Sequence, residues 1–179
     1  MQGDKTAEYA GRLTLNPLKH IDPVGTIILP ALSLMLPGNF LFGWAKPVPF
    51  NPYNLRNRRW GEAIVAIAGP LSNILIALIF GLFIRFYLAP AGIENGPVSA
   101  LCAIIVLVNI TLAIFNLVPI PPLDGSKIIS SVLPESWMPV RRAVERMGFI
   151  AVIIFLVFIW QFIEPLIPWL FQAITGLSL

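Results

Sequence analysis

An uncharged run of the chain ends in the stretch Phe115-Asn-Leu-Val-Pro-Ile-Pro-Pro-Leu-Asp-Gly125, which is the most informative segment of the sequence. Its three prolines end a helix, because proline lacks the amide hydrogen that the next turn needs. Asp124 follows them at membrane or interfacial depth, and Gly125 gives the backbone freedom to turn. A carboxylate there needs a cation, a metal ion or a helix N-terminus as its partner. The simpler alternative is that Asp124 only caps a helix over Gly125–Leu133, and both roles can hold together.

The composition around this stretch is that of a membrane protein. Of the 179 residues, 57% are hydrophobic and 12% are charged, and the mean hydropathy is +0.82. Soluble domains usually carry about 25% charged residues. The formal net charge is +3. The basic residues flank apolar runs, which is the pattern of membrane topology and argues against a nucleic-acid partner. A single cysteine, Cys102, excludes an intrachain disulfide.

Three apolar runs predict an all-α integral membrane protein with three transmembrane helices. The runs are Ala63–Ile84, then Asn95–Leu123 with its apolar core at Val98–Val118, then Met147–Ile163, which Glu164 interrupts before the chain continues from Pro165. The segment Val24–Leu36 is short for a span and contains a proline. A re-entrant segment and an ordinary span extended at both ends are both compatible with it.

The basic residues predict the orientation of these helices. Under the positive-inside rule, Gly38–Glu62 and Gly125–Arg146 face the cytoplasm, and the Pro90–Pro97 loop, which has no Lys or Arg, faces outside. Three prolines within Phe42–Asn54 exclude a helix there. We expect an extended, proline-rich ribbon near the cytoplasmic interface.

Polar side chains within apolar spans are the next candidates for function. The main ones are Asn73, Asn109 and Asn116, of which the last two share one helix face. Interhelical hydrogen bonding is the plainer explanation for each. His20 is the only histidine, and its proline-bounded surroundings predict a held loop. These residues do not complete a zinc site, which needs three protein ligands, and the sequence contains no H-E-x-x-H motif.

Four stretches, taken together and in order, resemble the compact prokaryotic branch of the site-2 protease family. They cover most of residues 11–133. They read Gly11-Arg-Leu-Thr-Leu-Asn-Pro-Leu-Lys-His-Ile-Asp-Pro-Val-Gly-Thr26, Gly43-Trp-Ala-Lys-Pro-Val-Pro49, Ala68-Gly-Pro-Leu-Ser-Asn73 and Phe115-Asn-Leu-Val-Pro-Ile-Pro-Pro-Leu-Asp-Gly125.

The resemblance implies a membrane-embedded zinc metalloprotease that cleaves transmembrane protein substrates. The zinc of that family is held by two histidines of an H-E-x-x-H helix and by an aspartate of a later Asp-Gly motif, which Asp124 matches. The ribbon Trp44–Phe50 resembles the region where extended substrate docks by strand addition. Residues expected to support the site or the substrate are Asn73, Asn116, His20, Trp44 and Pro47.

The missing H-E-x-x-H motif is the one departure from the family pattern. We therefore expect residues 1–179 to be a single membrane-embedded domain, the C-terminal portion of a site-2-protease-type catalytic domain that is inactive alone. The expected location is the inner membrane of a prokaryotic cell, crossed several times, with the lipid bilayer and transmembrane substrates as partners. Two alternatives are a non-catalytic pseudoprotease that binds transmembrane helices and a small transporter.

Overall fold

The computed structural model describes residues 4–14, 16–19, 21–28, 49, 51, 54–57, 60–93 and 96–178. Regular structure within these residues is helical, with no strand among them. This agrees with the all-α fold class predicted from the sequence. The chain divides into two compact units, Met1–Arg58 and Arg59–Leu179.

The first unit is built from short turns that side chains hold in place. It contains α1 (Thr6–Tyr9), a 3-10 turn at Pro17–Lys19 and a π-helical turn at Pro23–Ile28. The Asp4 carboxylate accepts hydrogen bonds from the Asn51 backbone amide at 2.9 Å and from the Asn54 side chain at 3.1 Å. The Asn51 amide, followed by the Thr6 hydroxyl, holds the pKa of Asp4 well below its usual value.

Two long helices open the second unit. The first, α2 (Gly61–Phe83), continues as a π-helical turn over Ile84–Leu88, and the second is α3 (Pro97–Leu117). The first has 28 residues when its π-helical turn is counted, and the second has 21. About 20 residues cross the hydrocarbon core of a bilayer. By length and composition both helices can span a membrane, as predicted for the first two apolar runs.

Two short helices follow the prolines that end α3. They are α4 (Asp124–Val132) and, after a 3-10 turn at Glu135–Trp137, α5 (Met138–Met147). Gly148 then ends α5 with a φ of +51°, a backbone conformation that favours glycine.

The third apolar run is broken rather than straight. It forms α6 (Phe149–Phe158), α7 (Trp160–Ile163) and α8 (Leu166–Thr175). The axes of Ile150–Phe158 and Trp160–Thr175 differ by 52°, which fits a broken span or a re-entrant loop. The run begins at Phe149 instead of Met147, because Gly148 separates it from α5. The interruption predicted at Glu164 is present between α7 and α8, and a further break lies at Ile159.

Two apolar clusters hold the second unit together. The larger packs α2 and α3 against α8, and the smaller joins the end of α3 to the broken run. In the smaller cluster, the Trp160 ring meets the rings of Phe115 and Phe155 edge-on, at centroid distances of 6.0 and 6.1 Å. The buried members of the larger cluster are Ala77, Ile84, Leu88, Cys102, Val106, Ile110, Ile167 and Phe171.

The predicted Val24–Leu36 segment and the proline-rich ribbon fall largely outside the described residues. Only the part of Val24–Leu36 up to Ile28 is described, and it belongs to the π-helical turn. Both predictions therefore stand as they were made.

Candidate metal centre

Asp124 is the first residue of α4, directly after the proline break. The backbone is extended at Val118 and again at Leu123, which occupies the N-cap position. The peptide bond between Pro121 and Pro122 is cis. No side chain caps α4 among the described residues. The cap alternative is therefore wrong, although a carboxylate in the first turn still interacts favourably with the helix dipole.

Gly125 is required for a reason different from the predicted one. Its φ is not in the positive range, so it does not provide an unusual turn. A β-carbon at this position would collide with the backbone carbonyls of Leu117 and Val118. Glycine lets the start of α4 lie directly against the end of α3, and this contact fixes where Asp124 stands.

The Asp124 carboxylate has one cationic partner among the described residues. Lys127 Nζ lies 3.4 Å from its Oδ1, and the two side chains are 44% and 33% exposed, respectively. The other carboxylate oxygen, Oδ2, faces α2, where a β-carbon on Gly69 would lie 3.5 Å from it. Asp124 is thus half-buried, with one oxygen paired to an exposed lysine and the other against a helix that can span a membrane.

The contact with Gly69 places Asp124 along the axis of α2. Gly69 follows the first helical residue, Gly61, by eight positions, which at 1.5 Å per residue is about 12 Å. The carboxylate is therefore level with the interior of α2 rather than with its end.

The three asparagines are arranged differently from one another. Asn73 is half-buried one turn after Gly69, so it lies on the same face of α2. In α3 the side-chain amide of Asn116 donates a hydrogen bond to the Leu112 carbonyl at 2.9 Å. The side-chain amide of Asn109 donates one to the Ile105 carbonyl at 2.8 Å. These bonds lie within one helix, whereas the sequence favoured bonds between helices.

Three of the predicted support residues lie outside the described residues. They are His20, Trp44 and Pro47. Their roles stay predictions. The supporting roles of Asn73 and Asn116 at the site also stay predictions.

The described residues do not amount to a zinc site. No group of three or more His, Cys, Asp or Glu side chains comes together within them. Cys102 is 4% exposed inside the larger apolar cluster. Catalytic zinc is held by three protein ligands and a water. The Asp124 carboxylate is of the kind that zinc accepts as a ligand.

A cavity of about 430 Å³ lies beside the proline break, and sequence reasoning did not find it. It is almost wholly apolar, formed by the end of α3, the break and the broken run. Its walls come from elements far apart in sequence, which explains why no local pattern indicated it. Lys127 was also missed, although its position three residues after Asp124 in a predicted helix would have indicated the pair. The cavity is lined by Ile114, Leu117, Val118, Pro119, Ile120, Phe155, Ile159, Ile163 and Leu166.

Comparison with known proteins identifies the relatives of this chain. Residues 84–159 match the model of peptidase family M50. A Bacillus subtilis protein named "Putative zinc metalloprotease YwhC" is 38% identical over 169 residues, which are 92% of this chain and 70% of that protein.

Mycobacterial proteins give further matches. "Putative zinc metalloprotease Rip2" of Mycolicibacterium smegmatis is 29% identical over 87% of this chain and 57% of its own length. Rip2 of Mycobacterium tuberculosis is 30% identical over 69% of this chain and 45% of its own. The chain therefore spans about half the length of these two relatives. No solved structure matches it.

Proposed function

The chain belongs to peptidase family M50, the site-2 protease family, and we propose that it is part of an intramembrane zinc metalloprotease that cleaves transmembrane protein substrates. The observation that carries the proposal is the position of Asp124. Its carboxylate stands immediately after the proline break, with one oxygen against the interior of α2. Placing a carboxylate beside a membrane-spanning helix costs free energy, so such a carboxylate usually marks a functional site. The relatives are named as zinc metalloproteases.

We propose that Asp124 provides one zinc ligand and that an H-E-x-x-H helix outside these 179 residues provides the two histidines. Bound zinc would supply Lewis-acid activation of water. The sequence has one histidine, His20, and no such motif, so the residues present here would be inactive alone. In the complete protein, residues 1–179 would form the C-terminal portion of one membrane-embedded catalytic domain.

The arrangement in the membrane belongs to the same proposal. The spans would be α2, α3 and the broken run as a third, with Val24–Leu36 re-entrant. The segments Gly38–Glu62 and Gly125–Arg146 would face the cytoplasm of a prokaryotic cell, with the chain in its inner membrane.

Most of the residues expected to support the site would extend and position the substrate. A helical substrate hides its backbone carbonyls, so it must be extended before it can be cut. We propose that the ribbon containing Trp44 and Pro47 pairs with the extended substrate, as an added strand does. Asn73 of α2 and Asn116 of α3 would position the peptide, and His20 would hold its own loop in place.

The test uses a protein in which these residues are joined to an H-E-x-x-H segment. We expect Asp124→Asn to lower zinc content and cleavage of a model transmembrane substrate together, because the variant keeps the shape and removes the charge. Zinc analysis and in vitro cleavage are measured on the same preparation. Full zinc and full cleavage in Asp124→Asn would remove Asp124 from the metal site.

Asn116→Ala separates substrate positioning from metal binding. We expect it to reduce cleavage about tenfold while zinc stays bound, since one lost hydrogen bond to a reacting group has about this effect. Asn109→Ala is the matched control. It removes the same kind of bond to the carbonyl four residues earlier, two turns further from the proline break. Equal losses in both variants would assign Asn116 to helix structure instead.

The missing motif gives a specific reason to keep a second candidate function, a pseudoprotease that binds transmembrane helices without cutting them. Joining the H-E-x-x-H segment would then restore neither cleavage nor tight zinc binding, while the substrate helix would still bind the 179-residue chain. Binding measured by cross-linking separates the two functions.

A further inference from the structure

Helix α5 separates its charged and apolar residues onto two faces. At 100° per residue, Arg142, Glu145 and Arg146 fall on one face. Val140, Val144 and Met147 fall on the other. Three arginines against one glutamate leave α5 with a net charge of +2. Both Arg142 and Arg146 are exposed.

The apolar side of this region is also open to the surroundings. Trp137, just before α5, is 52% exposed, and Val140 is 54% exposed. Met147, at the end of the helix, is 42% exposed. Large apolar side chains beside exposed arginines are typical of helices that lie in a membrane interface.

The position of α5 in the chain confines it to that interface. Gly148 turns the chain by a backbone conformation that favours glycine, and α6, which has no charged residue, begins at the next position. The arginines exclude α5 from the hydrocarbon, and the apolar run that follows keeps its last turn close to it. A surface helix joined in this way lies along the membrane rather than away from it.

A cleft of about 180 Å³ separates α5 from α4. Its walls include Ile129 of α4, Leu133 directly after α4, and Trp137, Val140 and Val144 from the α5 side. The cleft therefore offers an apolar surface next to a basic one, which is the chemistry of a phospholipid where its headgroup joins its acyl chains.

We propose that α5 lies in the plane of the membrane and binds anionic phospholipids. Arg142 and Arg146 contact headgroup phosphates, and the cleft between α4 and α5 receives the upper part of an acyl chain. Arginine suits phosphate because its planar group donates several hydrogen bonds at once. This interaction is independent of the proposed protease function and requires no zinc.

The experiment measures which lipids surround α5 in the full chain. Ala143→Cys, at an exposed position of α5 that does not line the cleft, carries a fluorophore, while the native Cys102 is buried at 4% exposure and reacts poorly. Nanodiscs contain zwitterionic and anionic phospholipids in a four-to-one ratio, with quenching bromine on the acyl chains of one class or the other. The two quenching curves give the enrichment of anionic lipid beside the label.

The charge-reversal variant R142E/R146E should lose this enrichment. We expect a fall of at least about fivefold, the usual effect of removing one basic residue from an anionic membrane surface. The matched control R12E/R56E makes the same change in net charge at two arginines of the first unit, the exposed Arg56 and the half-buried Arg12, and should keep the enrichment. Raising the salt concentration should weaken it in the unaltered protein.

Three outcomes would overturn the proposal. Quenching independent of lipid charge would show no preference, and an unchanged preference in R142E/R146E would place the lipid elsewhere. An equal loss in R12E/R56E would show that only the net charge matters. Far-UV circular dichroism of each variant establishes that the helices are intact.

Discussion

Helix α2 makes close contacts through two glycines, one in its interior and one near its end, and the two contacts serve different neighbours. Gly69 lies against a carboxylate oxygen of Asp124, and a β-carbon there would still be at an ordinary contact distance of 3.5 Å. Gly81, about three turns later, lies against Ile174 of α8, where a β-carbon would overlap the side-chain methyl group. The first glycine leaves room beside a polar group, while the second lets two apolar helices touch.

The charged residues near these two glycines also differ in what holds them. Arg85 donates a hydrogen bond to the Ala173 carbonyl at 2.6 Å, in the last turn of α8, where a cation is favourable. Asp124 is in the first turn of α4, where an anion is favourable, and its ion-pair partner Lys127 is exposed. One charge is fixed by a backbone carbonyl, and the other is left available to a further ligand.

The largest effect is expected at the junction that positions Asp124. Gly125→Ala should lower the free energy of unfolding by about 3 kcal/mol, because the added methyl group meets backbone carbonyls that cannot rotate away. Gly69→Ala is the control, with an expected change below about 0.5 kcal/mol, since its methyl group has room. Denaturant unfolding in detergent, followed by circular dichroism, measures both. Similar denaturant midpoints for Gly125→Ala and Gly69→Ala would contradict the expected difference in their free energies of unfolding.

A smaller effect is expected at the apolar end. Gly81→Ala should cost about 1–2 kcal/mol, because the atom it meets belongs to the Ile174 side chain, which can move or be shortened. The double variant Gly81→Ala with Ile174→Val should recover part of the loss in the same unfolding assay. If the double variant is no more stable than Gly81→Ala alone, Ile174 is not the group that limits this contact.

The smallest effects concern the two charges. Arg85→Gln should lower the free energy of unfolding by about 1 kcal/mol, through the lost bond to the end of α8. Lys127→Met should change it by less than about 0.5 kcal/mol, because exposed ion pairs contribute little. Thermal unfolding of the two variants side by side gives the comparison. A larger loss for Lys127→Met would mean that Asp124 depends on this lysine for its position.

Local chemistry was sufficient to predict several parts of the fold. The absence of charge located α2 and α3, because lipid leaves no other solution for a long apolar run. The prolines after Val118 predicted where α3 stops, since proline acts on its own turn. The position of Asp124 followed from that stop.

Other features depended on tertiary packing that the sequence does not display. Nothing in the residues at Ile159 marks a break, which occurs where Trp160 turns into the rings of Phe115 and Phe155. The role of Gly125 was misjudged because a close approach between helices leaves no local signal. The asparagines of α3 were expected to bond between helices, but a carbonyl of the same helix was within reach.

The hydrogen bonds that side chains of α3 donate to carbonyls of the same helix have a consequence for the motion of this helix. Asn109, Thr111 and Asn116 each donate to the carbonyl four residues earlier in α3. Sliding or rotating α3 against its neighbours breaks none of these bonds, and packing between side chains resists the movement. Packing forces are weak for each atom and vary gradually with displacement. Lateral parting of the helices therefore meets a broad, shallow barrier, unlike the sharp threshold that a ladder of interhelical hydrogen bonds would impose.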